Sequence, residues 1–72
     1  CDLGNYQKAE QLYKRALDIM ERRLGPFHPN VAMNMNNLGK LYNDREDYDK
    51  AENLFHQAMD IYEKIKIASQ RP

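Results

Sequence analysis

NYQKAEQLYKRALDI, residues 5–19, returns 42 residues later as DYDKAENLFHQAMDI, residues 47–61. Tyr6, Ala9, Glu10, Leu12, Ala16, Asp18 and Ile19 recur as Tyr48, Ala51, Glu52, Leu54, Ala58, Asp60 and Ile61, and Tyr13 recurs as the aromatic Phe55. One offset for every pair marks a repeat array, in which each unit buries one face against its neighbours and offers another to a partner. Binding is the functional class this organisation points to, and the partner is not encoded in it.

The spacing within each copy is helical. Tyr6, Ala9, Tyr13, Ala16, Met20 and Leu24 alternate steps of three and four, and Leu12, Leu17 and Ile19 widen the stripe. Apolar residues on one side and charges on the other define an amphipathic helix. Asn5 suits the N-cap and Gly25-Pro26 the stop, so helix one is expected near 5–24, within a unit spanning 4–25. His28-Pro29 restarts the chain, with proline at the first helical position. Val31, Met35, Leu38 and Tyr42 carry helix two over 29–43. Tyr48, Ala51, Phe55, Ala58, Tyr62 and Ile65 carry helix three over 48–66, capped by Asp47, with residues 67–72 as a tail. Exposed pairs four apart, Glu10–Lys14, Asp18–Arg22 and Asp60–Lys64, each add about 0.2–0.5 kcal/mol. No strand alternation occurs, and the expected class is all-α.

Seventy-two residues make at most one small domain, burying roughly 60% of the unfolded surface. Eleven basic and eleven acidic side chains cancel, which disfavours nucleic acid and anionic membrane as partners. No apolar run nears the roughly 20 residues of a membrane span. The single cysteine, Cys1, excludes a disulfide framework and favours a reducing, cytoplasmic setting. His28 and His56 stand on different elements without a metal-ligand pattern. Glu10 and Glu52 are repeat equivalents on separate helices rather than an acid pair. Ser69 is the only serine, and threonine is absent. No catalytic residue, metal site or cofactor is expected, and the chain reads as a non-enzyme.

The period of 42 fits several helical repeats, and the internal motif chooses among them. Met35, Leu38-Gly39, Tyr42, Ala51, Phe55 and Ala58 follow the tetratricopeptide order of large residue, Leu-Gly, Tyr, Ala, aromatic, Ala. Gly39 and Ala51 are small enough for paired helices to approach closely, and Tyr42 and Phe55 fill the space beside them. Met35 replaces the usual tryptophan. Glu21 and Glu63 replace the proline that ends the second helix, which lengthens the unit beyond the usual 34 or so residues. With GNYQKAEQLYKRALDI, LGPFHPNVA and NNLGKLY in order, the chain resembles the long tetratricopeptide repeats of kinesin light chain and its relatives.

That resemblance implies an α-solenoid fragment of three helices. Helix one would be the second helix of a truncated repeat, with Cys1-Asp2-Leu3 as the vestige of its partner, and 29–66 one complete repeat. It implies a scaffold or adaptor that binds a peptide or protein on the concave face of each first helix. Met33, Asn36, Asn37, Lys40, Asn43 and Asp44 lie on the expected outer side of helix two. Mid-helix asparagine costs up to about 0.7 kcal/mol relative to alanine, a poor choice for a merely wet surface. An amide both donates and accepts, which suits the backbone of an extended peptide. The alternative is that these amides bond to a neighbouring repeat or to water. The expected repeat core is Tyr6, Ala9, Leu12, Tyr13, Ala16, Met35, Leu38, Gly39, Tyr42, Tyr48, Ala51, Leu54, Phe55 and Ala58. Tyr62 and Phe27 read as packing aromatics and the methionines as gap-fillers, Met33 excepted. Self-association into a homodimer through uncovered apolar faces is the second reading, and RNA binding a distant third.

Overall fold

The computed structural model of the chain describes residues 3–70. Cys1, Asp2, Arg71 and Pro72 lie outside that range, and with them the readings placed on Cys1 and the last tail residues. Three antiparallel helices follow one another: α1 Leu3–Leu24, α2 Pro29–Asp44 and α3 Tyr48–Ser69. The central α2 packs against both of the others. The Cα radius of gyration is 13.4 Å, above the roughly 11 Å of a compact domain this long. The molecule is therefore an elongated stack of helices rather than a ball.

Each turn has a backbone cause. Gly25, at φ 88°, takes the left-handed C-cap of α1 and donates its N–H to the Glu21 carbonyl at 3.0 Å. His28 caps α2: its Nδ1 accepts the Asn30 N–H at 3.0 Å, its carbonyl accepts from Val31 and Ala32, and Pro29 begins the helix. α2 ends in a Schellman motif, with the Asp47 N–H on the Tyr42 carbonyl and the Glu46 N–H on Asn43. Glu46 occupies the left-handed position, φ 64°, where glycine is the usual residue.

Several boundaries differ from the sequence reading. α1 begins at Leu3, so Asn5 lies inside it rather than capping it. A cap is worth only about 1 kcal/mol, and the preceding residues extend the helix instead. Asp47 stands at the N-cap of α3 without a side-chain cap bond. Its carboxylate reaches Lys50 at 3.7 Å instead. α3 runs through Ser69, because Ile67-Ala68 stand where the first copy has Gly25-Pro26, so residues 67–69 are helix and not tail.

The core belongs to α2. Val31, Ala32 and Met35 bury against Ala58 and Ile61 of α3, with Leu17 and Met20 of α1 closing the other side. Leu38, Tyr42 and Ala51 form a second cluster with Tyr13, Leu41 and Phe55 around it, and Leu54 touches both clusters. A β-carbon on Gly39 would sit 2.7 Å from Cε1 of Phe55. The small residue thus makes room for the Phe55 ring, whereas Ala51 packs with Leu38 and Tyr42.

Two residues placed in the core by periodicity are exposed: Leu12 at 67% and Tyr48 at 59%. Tyr6, Ala9, Tyr13, Ala16, Leu54 and Phe55 are half-buried. The internal repeat supplies the reason. Ala51, Leu54, Ala58 and Ile61 lie under α2, whereas their equivalents Ala9, Leu12, Ala16 and Ile19 have no helix over them among the described residues. Tyr6 likewise lies beneath the Arg45 guanidinium, 6.0 Å from the ring centroid, while Tyr48 has no counterpart cover. Phe27, Met59 and Tyr62, expected as packing residues, are also exposed.

Candidate functional site

Met33, Asn37, Lys40 and Asp44 follow one another at steps of four, three and four, so they line one side of α2. All four are exposed, Met33 at 55%. Asn43 is exposed beside them, and Asn36 is half-buried on the same flank. Among the described residues, none of these six side chains spends a hydrogen bond or ion pair on the rest of the chain. The opposite side of the helix is the buried one, so the stripe is held rigid by a core that it does not enter.

A neighbouring asparagine behaves differently. Asn34 is only 7% exposed and donates its Nδ2 to the Tyr13 carbonyl of α1 at 2.9 Å. A buried amide left unbonded would be costly, and this one ties two helices together. Sequence reasoning passed over Asn34. Its signal is positional: it falls at the edge of the apolar stripe of Val31, Met35 and Leu38, between that stripe and Asn37.

A second polar join lies at the other end of the α1–α2 contact. The Tyr42 hydroxyl donates to Oε2 of Glu10 at 2.6 Å, Lys14 lies 3.4 Å from the same oxygen, and Arg45 lies 3.9 Å from Oε1. The Tyr42 hydroxyl, chiefly, holds the Glu10 carboxyl below its ordinary value, against an opposing push from burial and with further help from Lys14. Burial, then the Glu10 carboxylate, raises the Tyr42 phenol. Lys14 is raised, chiefly by the Tyr42 oxygen, which turns negative only when the phenol ionises at high pH, and by Glu10. Lys50 stands 5.5 Å above the Tyr42 ring. Glu10 is therefore a structural hinge-pin between helices and not half of an acid pair with Glu52.

Asp18–Arg22 pairs at 3.4 Å, but Asp60–Lys64 does not pair. Lys64 instead lies 4.6 Å over the ring of Phe27. Phe27, Lys64, Pro26, Glu21, Asp60 and Gln57 surround a shallow hollow of about 230 Å³ floored by Met35 and Ile61. No group of three or more potential metal ligands clusters among the described residues. No helix there is long and apolar enough to cross a membrane.

A central helix clasped between two copies of one amphipathic helix, with a polar stripe facing away, defines a helical-repeat protein. The tetratricopeptide repeat family model matches residues 1–64, and the chain belongs to that family. No curated protein and no solved structure matches it. Tetratricopeptide repeats generally mediate protein–protein interactions and are typically non-catalytic.

Proposed function

We propose that this chain is an adaptor module that binds a peptide or partner protein along the outer stripe of α2, with no catalysis of its own. The supporting observation is that Asn36, Asn37, Lys40 and Asn43 are presented on a rigid helix with every amide and ammonium uncommitted. Asn37 and Asn36 would pair with the backbone of an extended segment, Lys40 with a carboxylate or acidic side chain, and Met33 with an apolar side chain. In this reading α1 is the second helix of one repeat, and α2 with α3 forms the next. Their long period resembles that of the kinesin light chain type. The balanced charge argues against nucleic acid and membrane surfaces, and the cysteine content suits a cytoplasmic setting.

Selection from a displayed random-peptide library against the whole chain supplies a probe. Asn37→Ala with Lys40→Ala is expected to weaken the selected peptides at least about tenfold at a melting temperature no lower than the parent's, since both side chains are exposed and alanine is the better helix former. Unchanged affinity removes the stripe from the site. A second reading, self-association, draws on Leu12 and Ile19, which lie exposed two turns apart on one side of α1. Sedimentation of a concentration-independent monomer, unaltered by Leu12→Lys, ends it.

A further inference from the structure

α1 and α3 both pack on α2 but not on each other: among the described residues their Cα atoms stay more than 8 Å apart. A trough is left between them on the buried side of α2, away from the Asn37 stripe, and Met35, Leu38 and Tyr42 form its floor. Two hollows lie in line along it. The Phe27 hollow, about 230 Å³, is walled by Glu21 of α1 and Asp60 of α3. The other, about 270 Å³, is walled by Lys14 of α1 and Lys50 of α3, with Leu17 and Leu54 between them. Gln57 lines both hollows, and its Nε2 donates to Oδ1 of Asn53 at 3.3 Å.

The trough is thus acidic at one end and basic at the other. Neither Glu21 nor Asp60 has an ion-pair partner among the described residues. Lys64 shares their hollow but lies 4.6 Å from the Phe27 ring centroid instead. Lys14 and Lys50 reach Glu10 at 3.4 Å and Asp47 at 3.7 Å, yet both lysine side chains are mostly exposed, and surface pairs of this kind hold weakly. Seven residues part Lys14 from Glu21 and ten part Lys50 from Asp60, which is roughly 10–15 Å along a helix. An extended chain covers about that span in three or four residues of ~3.3 Å each. The rim amides favour an extended guest over a helical one. A helix spends its own N–H and C=O groups internally, whereas an extended segment offers both to Asn53 and Gln57.

We propose that this trough binds an extended segment of a partner polypeptide bearing an acidic residue and, three or four positions away, a basic one. The acidic side chain lies between Lys14 and Lys50, and the basic one between Glu21 and Asp60. An apolar side chain between the two rests on Leu17 and Leu54, and the segment's backbone bonds to Asn53 and Gln57. This surface lies across α2 from the outer stripe and stands or falls independently of it.

The probe is a library of end-capped heptapeptides with one glutamate and one arginine three or four positions apart, in both orders, and random residues elsewhere. Selected on the immobilised 72-residue chain, these peptides should be enriched at least about tenfold over a library with glutamine at both fixed positions. The best of them should shift the side-chain amide signals of Asn53 and Gln57 in the isotope-labelled chain. Asp60→Lys, at an exposed position, should weaken that peptide at least about tenfold while the chain stays folded. Replacing the peptide's arginine by glutamate should restore binding to the Asp60→Lys chain, a rescue that a merely damaged surface would not give. Asn37→Ala with Lys40→Ala should leave binding unchanged. The proposal is overturned by absent enrichment, by shifts confined to Asn36 and Asn37, or by an Asp60→Lys chain that binds undiminished or is not rescued. A chain that sediments as a dimer and is made monomeric by Asp60→Lys also overturns it, since a second copy would then fill the trough.

Discussion

Tyr42→Phe deletes one oxygen and tests how α1 is held. The aromatic ring stays, so its packing with Leu38 and Ala51 and its contact with Lys50 persist. What goes is the 2.6 Å bond to Glu10. A hydrogen bond to a charged group contributes about 1.5–3 kcal/mol. Glu10 keeps Lys14 on the same oxygen and is partly open to water, which places the cost near the lower end, about 1.5 kcal/mol. For a chain this size that corresponds to a melting temperature lower by roughly 6–12 °C. The sign with pH follows from Glu10, whose carboxyl is held below its ordinary 4.5 in the fold. Its contribution is complete above pH 4.5 and is lost as pH falls through the lower folded value. Tyr42, raised above 10.0 by burial, contributes below pH 10 and loses that contribution at higher pH. Thermal melts of parent, Tyr42→Phe, Glu10→Gln and the double variant at pH 7 should show coupling of about 1 kcal/mol between the two sites. At pH 3 the penalty for Tyr42→Phe should shrink. A penalty equal at both pH values, or additive single variants at pH 7, refutes the hydroxyl–carboxylate bond as the join between α1 and α2.

Glu46→Gly should stabilise the chain by about 1 kcal/mol in a thermal melt, because a side chain in the left-handed cap costs about 1–2 kcal/mol that glycine avoids. A lower melting temperature would deny the strain. Gly39→Ala should destabilise by about 1 kcal/mol, its new methyl driving into the Phe55 ring by more than helix propensity returns. In a Phe55→Leu background the same change should become neutral or stabilising, and no such sign reversal would mean that Gly39 is not there for Phe55. Asn34→Ala should cost about 1–2 kcal/mol by removing the buried amide bond between α2 and the Tyr13 carbonyl of α1, whereas Asn37→Ala should gain a few tenths in propensity. Equal effects at the two asparagines contradict the division of roles between them.

Those two asparagines show where sequence reading succeeds and stops. The spacing of Val31, Met35, Leu38 and Tyr42 announced α2 because a helical period is a local property. Gly25-Pro26 and His28-Pro29 announced its approach for the same reason. Periodicity also says which side of a helix is apolar, but not whether a neighbour covers it, and Leu12 and Tyr48 were misplaced on that account. Their repeat partners are covered, Leu54 by α2 and Tyr6 by Arg45 just past its end; among the described residues Leu12 and Tyr48 have no such cover. Glu10 and Tyr42 meet across 32 residues of sequence, and the Asn34–Tyr13 bond spans 21. Neither separation leaves a local mark. The left-handed turn at Glu46 was equally invisible, since glutamate is not a residue that advertises it.

Side-chain amide exchange tests the central claim most directly: that α2 commits Asn34 to the fold and keeps Asn36, Asn37 and Asn43 for a guest. In nitrogen-15 spectra of the free chain, the Asn34 side-chain NH₂ should exchange slowly with water and be shifted by its carbonyl partner. Those of Asn37 and Asn43 should exchange as fast as in an unfolded peptide, with Asn36 close behind. Protected Asn37 and Asn43 amides beside a freely exchanging Asn34 would contradict the account.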